Sequence, residues 1–264
     1  MWITKILTEI KPIRRVLRPI AARWPWPLPA RLNDGTILYV DLRSAIGRGI
    51  LMKGEFDHEV WTAIEPSLSP GDTFLDIGCN IGYYAVLAAK KVGPSGEVHA
   101  FDVDPRPLRC LQKTLTRNQL YNVIIHPYAI GEAAGVSSLI TSAESGITRL
   151  SAGHNGPQFP VLNLDAWAEY FKNRPVSAVK VDVEGHDEEV LRGASAILRR
   201  HRPVVVSEGN PIPDYSEKEE VSARIREFMV GLRYKVRPIE GAINQDMLFD
   251  PLCQPDETAG AGSA

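Results

Sequence analysis

The chain has 264 residues, 44% of them hydrophobic and 23% charged, with a formal net charge of −2, which is the balance of a soluble globular protein with one substantial domain and a large core. Three scattered cysteines without metal-ligand spacing argue for a reducing compartment and against a disulfide framework or a zinc site. No stretch approaches ~18 uninterrupted apolar residues, which excludes a transmembrane helix, and charges recurring through the N-terminal segment exclude a signal-peptide core.

The charge is uneven. Residues 1–31 carry seven Lys or Arg and one Glu, a net +6 that leaves −8 on the rest of the chain. Apolar residues at 3, 6, 7, 10, 13, 17 and 20 trace a helical stripe, with Lys5, Lys11, Arg15 and Arg18 mostly off it. Pro12 and Pro19 divide it into two short helices, and the alternation of Trp24, Pro25, Trp26, Pro27, Leu28 and Pro29 makes an extended connector. Two readings stand for residues 1–30. The plainer is packing on the domain's flank or on a second subunit of a homo-oligomer; the other is peripheral contact with a membrane surface through the cations and tryptophans.

Residues 38–42 read as a strand after an Asn33-Asp34-Gly35 turn, and 56–68 as a helix. The stretch 73–77 is apolar except for Asp76, which suits a strand buried on both faces. Gly78 and Gly82 follow, with Cys79, Asn80 and Ile81 between them; then come a helix over 81–91, a Gly-Pro-Ser-Gly break, and a strand over 98–101 that ends in Asp102. Glycines let backbone pass close to a ligand, and a helix starting there points free N–H groups at it. An acid closing the second strand can accept hydrogen bonds from both ribose hydroxyls, so the unit fits an adenosine-containing small molecule. Its pattern, Asp-x-Gly-x-x-x-Gly, is neither the dinucleotide fingerprint nor a P-loop. Asp76 would repel a pyrophosphate and suits the ammonium and sulfonium of S-adenosylmethionine. A Gly-x-x-x-Gly alone is often only a structural turn; the register of strand, helix, second strand and terminal acid makes it a cofactor turn.

Further on, a helix over 105–118 starts with proline, a strand covers 123–126, and 132–160 form short strands and a loop over the site. A short helix begins near Asp165 within 162–170. Strands over 178–183 and 203–207 flank a helix over 187–199, and a helix over 216–231 precedes a strand pair at 234–237 and 246–249. The domain organisation is therefore an arm and connector over 1–31, an α/β domain over 32–252 and a disordered tail over 253–264. Alternating strands and helices imply an open, mostly parallel sheet whose ligands sit outside the carboxyl ends of the strands. Those ends carry Asp76 to Gly82, Asp102, Tyr128 and Ala129, then Asp182, Glu184 and His186, and finally Glu208 and Asn210.

The segments DTFLDIGCNIGYYAVLAA, VHAFDVDP, VSAVKVDVEGHDEEVLRGA and VVVSEGNP resemble the FkbM-type S-adenosylmethionine-dependent methyltransferases. The resemblance covers about 54–249, and its most specific part is Lys-x-Asp-x-Glu-Gly-His at 180–186. It implies an α/β class I (Rossmann-like) methyltransferase fold: a mostly parallel seven-stranded sheet, the last strand antiparallel, with helices on both faces. It also implies S-adenosylmethionine as cofactor and a hydroxyl-bearing acceptor, a glycan, glycolipid or natural product. Asp102 departs from the usual Glu, keeping the charge with a shorter reach.

On this reading Asp76, Gly78, Asn80, Gly82, Asp102, Ala129 and Asp182 bind the cofactor, and Glu59 closes over its methionine end or is simply an exposed helix residue. A sugar hydroxyl needs a base as its proton leaves. His186 is the first candidate, because imidazole titrates near neutral pH, with Glu184 and Glu208 next; the bland reading of His186 is a helix N-terminal residue satisfied by hydrogen bonds. Lys180 pairs with the neighbouring acids, as a site residue or as a buried salt bridge. Asp182, Glu184, Glu208 and Asn210 would suit Mg²⁺, but acids at these ends also serve the cofactor, so no metal is assigned. Rival readings are a nucleic-acid methyltransferase, disfavoured by the acidic body, a non-catalytic scaffold docked on a membrane, and a nicotinamide-dependent oxidoreductase, disfavoured by the glycine spacing. The expected location is the cytoplasm, with the inner face of the membrane as the peripheral alternative.

Overall fold

The structure, a computed structural model, describes residues 24, 26–141, 148–151, 157–183, 185–207, 218–239 and 251–255. The helical stripe of the arm, Glu184, Glu208, Asn210, the strand expected at 246–249 and most of the tail lie outside the described residues.

A hairpin of β1 (Leu28–Arg31) and β2 (Ile37–Val40) opens the fold. It therefore begins inside the stretch assigned from the sequence to the connector. Helix α1 (Ala45–Lys53), which the sequence reading did not anticipate, starts where Ser44 Oγ accepts from Gly47 N and stops at Gly54 in the left-handed region. The helix expected over 56–68 is shorter: α2 (His58–Ile64) gives way to a 3-10 turn at Glu65–Ser67, where Pro66 stands.

Next come β3 (Thr73–Ile77), α3 (Tyr83–Val92), β4 (Glu97–Phe101), α4 (Pro105–Asn118) and β5 (Val123–His126). The hairpin is tied to α4 through Tyr39 N to Thr114 Oγ1 at 2.8 Å and Asn118 Nδ2 to the Ile37 carbonyl at 2.7 Å. Short strands then appear as expected: β6 (Ala129–Ile130), β7 (Gly135–Thr141), β8 (Thr148–Ser151) and β9 (Gln158–Leu162) form a separate sheet in the order β6-β9-β7-β8. The short helix expected near Asp165 is a 3-10 helix at Leu164–Trp167, and the Asp165 carboxylate accepts from Ala196 N and Ile197 N.

Strand β10 (Val176–Val181) is followed by α5 (Asp187–Arg192) and α6 (Ser195–His201) rather than one helix over 187–199. The break falls at Gly193, a weak helix former, where a Cβ would lie 2.1 Å from the Gly131 carbonyl oxygen. Strand β11 (Val204–Ser207), α7 (Lys218–Gly231), β12 (Tyr234–Pro238) and β13 (Pro251–Pro255) complete the domain. The last strand thus runs into the segment assigned to the disordered tail.

Among the described residues the main sheet has seven strands in the order β12-β13-β11-β10-β3-β4-β5. The run from β11 to β5 is parallel throughout, and β13 is antiparallel to both its neighbours, so the mostly parallel α/β fold with an antiparallel final strand is the observed one. Alternation along the strands loads both faces. Phe74, Val98, Ala100, Ala178 and Val206 pack with α3 and α4, while Leu75, Ile77, Phe101, Val179 and Val181 pack with α5, α6 and α7. On the second face, under β4 and β5, the rings of His99 and His126 stack at 5.2 Å beside Trp167 and Phe171. None of the described helices is long and apolar enough to cross a membrane.

Candidate active site

The turn after β3 is built by glycine at two points. Gly78 has φ +76°, and a Cβ there would lie 1.8 Å from the carbonyl oxygen of Asp182 on the next strand. Gly82 has φ +79° and meets the Leu111 side chain. Between them Asn80 also has a positive φ of 50°, and its Oδ1 accepts from Ile81 N at 2.8 Å. The N–H groups of Gly78 and Cys79 both donate to the Phe101 carbonyl, which locks the turn against the end of β4.

Asp102, half-buried just past β4, orients this turn. Its Oδ2 accepts from Asn80 N at 2.8 Å and its Oδ1 from Asp104 N at 2.8 Å. A carboxylate has about four acceptor positions, so the geometry leaves capacity for a ligand. Burial pushes its carboxyl up to about 6, against the pull of the Asp104 and Asn80 N–H groups in the other direction.

On the neighbouring strand Lys180, almost wholly buried, reaches the same place. Its ammonium donates to Asp182 Oδ2 at 3.0 Å and to the Gly78 carbonyl at 3.1 Å, stands 3.8 Å from Asp76 Oδ1, and lies 5.2 Å from the centre of the Tyr84 ring. The pairing with acids expected for Lys180 is therefore present. Asp76 is fully buried; its Oδ2 accepts from Ala85 N at 3.0 Å, which anchors the first turn of α3. Asp76 Oδ1 has no hydrogen-bond partner among the described residues, and burial pushes this carboxyl up to about 6.

The sequence reading missed Asp57. It precedes α2 with a left-handed φ of 38°, and its carboxyl is pushed up first by burial, then by the charges of Asp182 and Glu59. The visible signal is an acid two residues before Glu59, in a stretch that reads as helix. Glu59 itself lies in the first turn of α2, half-buried.

The structure thus gathers Asp76, Gly78, Asn80, Gly82, Asp102, Lys180 and Asp182 at the carboxyl ends of β3, β4 and β10. Ala129 is buried at the start of β6, where it pairs with Val161 of the second sheet. His186 caps α5 without a side-chain capping bond; its Nδ1 is 4.0 Å from Glu189 Oε1.

One residue beyond it, Asp187 is buried and ties two strand ends together. Its Oδ1 accepts from Val183 N at 3.0 Å and its Oδ2 from Ser207 Oγ at 2.8 Å. Replacing Asp187 with alanine should strand both donors and lower stability by about 2–3 kcal/mol. A shift of the urea midpoint tests this, and an unshifted midpoint would show that the tie carries no load.

A family model described as methyltransferase FkbM domain matches residues 76–236. Ribosomal protein L11 methyltransferase from Cupriavidus necator is 28% identical over 137 residues, which span 50% of this chain and 42% of that protein, less than half of the relative's own length. Among solved structures, the FkbM methyltransferase from Methylobacillus flagellatus has a TM-score of 0.50 at 16% identity, covering 91% of this chain and 59% of that one. A protein from Clostridium thermocellum described as an rRNA-methylase candidate has a TM-score of 0.51 at 17% identity, covering 74% of this chain and 92% of its own. At these identities the two structures speak for the fold.

Proposed function

The chain belongs to the FkbM methyltransferase-domain family, whose cofactor is S-adenosylmethionine, and on that premise we propose that it methylates a hydroxyl of a saccharide-containing, lipid-linked or natural-product acceptor. The observation that carries the donor half is the joint placement of the Gly78–Gly82 turn and the Asp102 carboxylate, with spare acceptor capacity, at the ends of adjacent parallel strands. The residues fit the cofactor in charge as well as shape. Asp182, Asp57 and Glu59 offer carboxylates to a cationic amino-acid end, and the two glycines leave the turn without side chains that would obstruct an adenosine moiety.

When bound, S-adenosylmethionine supplies an electrophilic methyl group on a good leaving group. The chain's own part is then largely positioning, which can be worth about 7–11 kcal/mol. Asp102 holds the ribose and Asp182 the charged end. His186 takes the proton of the acceptor hydroxyl, with Glu189 placed to steady the imidazolium. His186→Ala should lower kcat by about 10²–10⁴-fold with the cofactor Kd nearly unchanged; turnover at the wild-type rate would remove His186 from this role.

The first experiment is calorimetric titration of the full chain with S-adenosylmethionine and S-adenosylhomocysteine. Absence of binding to both would overturn the donor reading. The acceptor class rests on the family resemblance, and it is tested by methyl transfer from labelled cofactor to glycan, glycolipid, rRNA and ribosomal-protein fractions. Label in RNA or protein and none in the glycan and lipid fractions would replace it, in the direction that the names of the relatives suggest.

A further inference from the structure

The Lys180 ammonium stands between two carboxylates of unequal position. Asp182 is a third exposed, and it holds the ammonium at 3.0 Å. Asp76 is wholly buried and stands off at 3.8 Å, with Oδ1 lacking a hydrogen bond among the described residues. A buried carboxylate oxygen left unbonded is costly, yet the fold places a three-donor ammonium directly opposite it, since Lys180 and Asp76 are register partners on β10 and β3. The face of Tyr84 flanks the ammonium, a surface that favours a cation.

We propose that Lys180 is a two-position counter-ion, a positioning residue that neutralises Asp182 in the free protein and moves onto Asp76 Oδ1 when a ligand ammonium takes its place at Asp182. The inference deepens the donor reading above and rests on it. Asp182 is the carboxylate a ligand can reach, whereas Asp76 has no exposed surface. Two ammonium groups sharing Asp182 would repel each other at close range in a poorly hydrated site. A shift of about 1 Å in Lys180 lessens that repulsion and brings the ammonium within hydrogen-bond distance of Asp76 Oδ1. No proton or charge leaves the site. The arrangement selects for ligands that carry an ammonium over those that carry only the adenosine portion, and it assigns the buried Asp76 a part in binding that needs no direct contact.

The test compares two ligands by equilibrium titration on wild type and Asp76→Asn. S-adenosylhomocysteine carries the ammonium; 5′-methylthioadenosine keeps the adenosine and thioether without it. In Asp76→Asn the Kd of S-adenosylhomocysteine should rise at least about tenfold, while that of 5′-methylthioadenosine changes less than about twofold, because the variant removes the carboxylate that receives the displaced Lys180. Parallel changes for both ligands, or none, would overturn the two-position role while leaving the donor reading intact. Failure of wild type to bind either ligand would overturn both. Should Asp76→Asn not fold, crystal structures of wild type with and without S-adenosylhomocysteine decide: Lys180 Nζ within hydrogen-bond distance of Asp76 Oδ1 only in the complex supports the proposal, and an unmoved Lys180 refutes it.

Discussion

Replacing Gly78 with alanine is expected to abolish cofactor binding and to lower the stability of the fold by about 3 kcal/mol or more, through left-handed strain and steric overpacking together. The added Cβ would stand 1.8 Å from the carbonyl oxygen of Asp182 and 2.7 Å from its carbonyl carbon. Those atoms are backbone and cannot rotate away. Relief requires the ends of β3 and β10 to part where Asp182 N donates to the Ile77 carbonyl and Lys180 to the Gly78 carbonyl. The same parting would pull the turn off Phe101 and away from Asp102. Gly82→Ala makes the useful contrast, because there the obstacle is a Leu111 methyl at 2.3 Å, the end of a side chain that can change rotamer. Urea midpoints and calorimetric Kd values for both variants check the argument. A Gly78→Ala protein that melts and binds like wild type would show that β3 and β10 do not approach as described.

The contrast between these positions also explains what the sequence could and could not reveal. The turn, α3 and Asp102 were legible because the information is local: a buried strand, two glycines, a helix and an acid follow one another in register. Lys180 was legible through the alternation of β10, which sets it on the face opposite Val179 and Val181 and beside Asp182. The features missed depend on contacts between distant segments. Gly193 stands at the break in what reads as one helix, and the Gly131 carbonyl packed against it is a contact that the sequence around Gly193 does not record. Asp57 sits in a segment that reads as plain helix; its backbone is left-handed and its carboxyl is perturbed by Asp182 from another strand end. The hairpin of β1 and β2 was half visible, since the connector prolines suggest extended chain but the bonds from Tyr39 and Ile37 to α4 side chains decide its place. Asp187 reads as one more acid in a helix N-terminus, and only the fold shows that it joins β10 to β11.

Asp102→Ala is expected to raise the cofactor Kd by about a hundredfold, because it removes a charged acceptor for two ribose hydroxyls and also frees the Asn80 and Asp104 N–H groups that shape the turn. The pH dependence of wild type gives a sharper test. With its carboxyl pushed up to about 6, Asp102 gains a proton as pH falls through that value, and a protonated acid no longer accepts from both hydroxyls. Affinity should therefore be flat above about pH 7 and fall below about pH 6, while Asp102→Asn binds weakly with little pH dependence. Stability must move the other way. Asp76 and Asp102 both hold their protons to about 6 in the folded state against 3.8 in an unperturbed carboxyl. Their stabilising contribution is complete below the unfolded value and is lost as pH rises from about 4 to about 6. Asp34, Asp41, Glu97 and Glu188, whose carboxyls are held low, contribute with the opposite sign, so the readout is the difference between wild type and each asparagine variant. Urea unfolding and calorimetric titration at about pH 5 and about pH 7, about one unit either side of the transition, measure both quantities. Equal wild-type affinity at the two pH values would contradict an ionised Asp102 as the ribose acceptor. The charge proposed to accept the ribose hydroxyls is thus held in place by a fold that would be more stable without it.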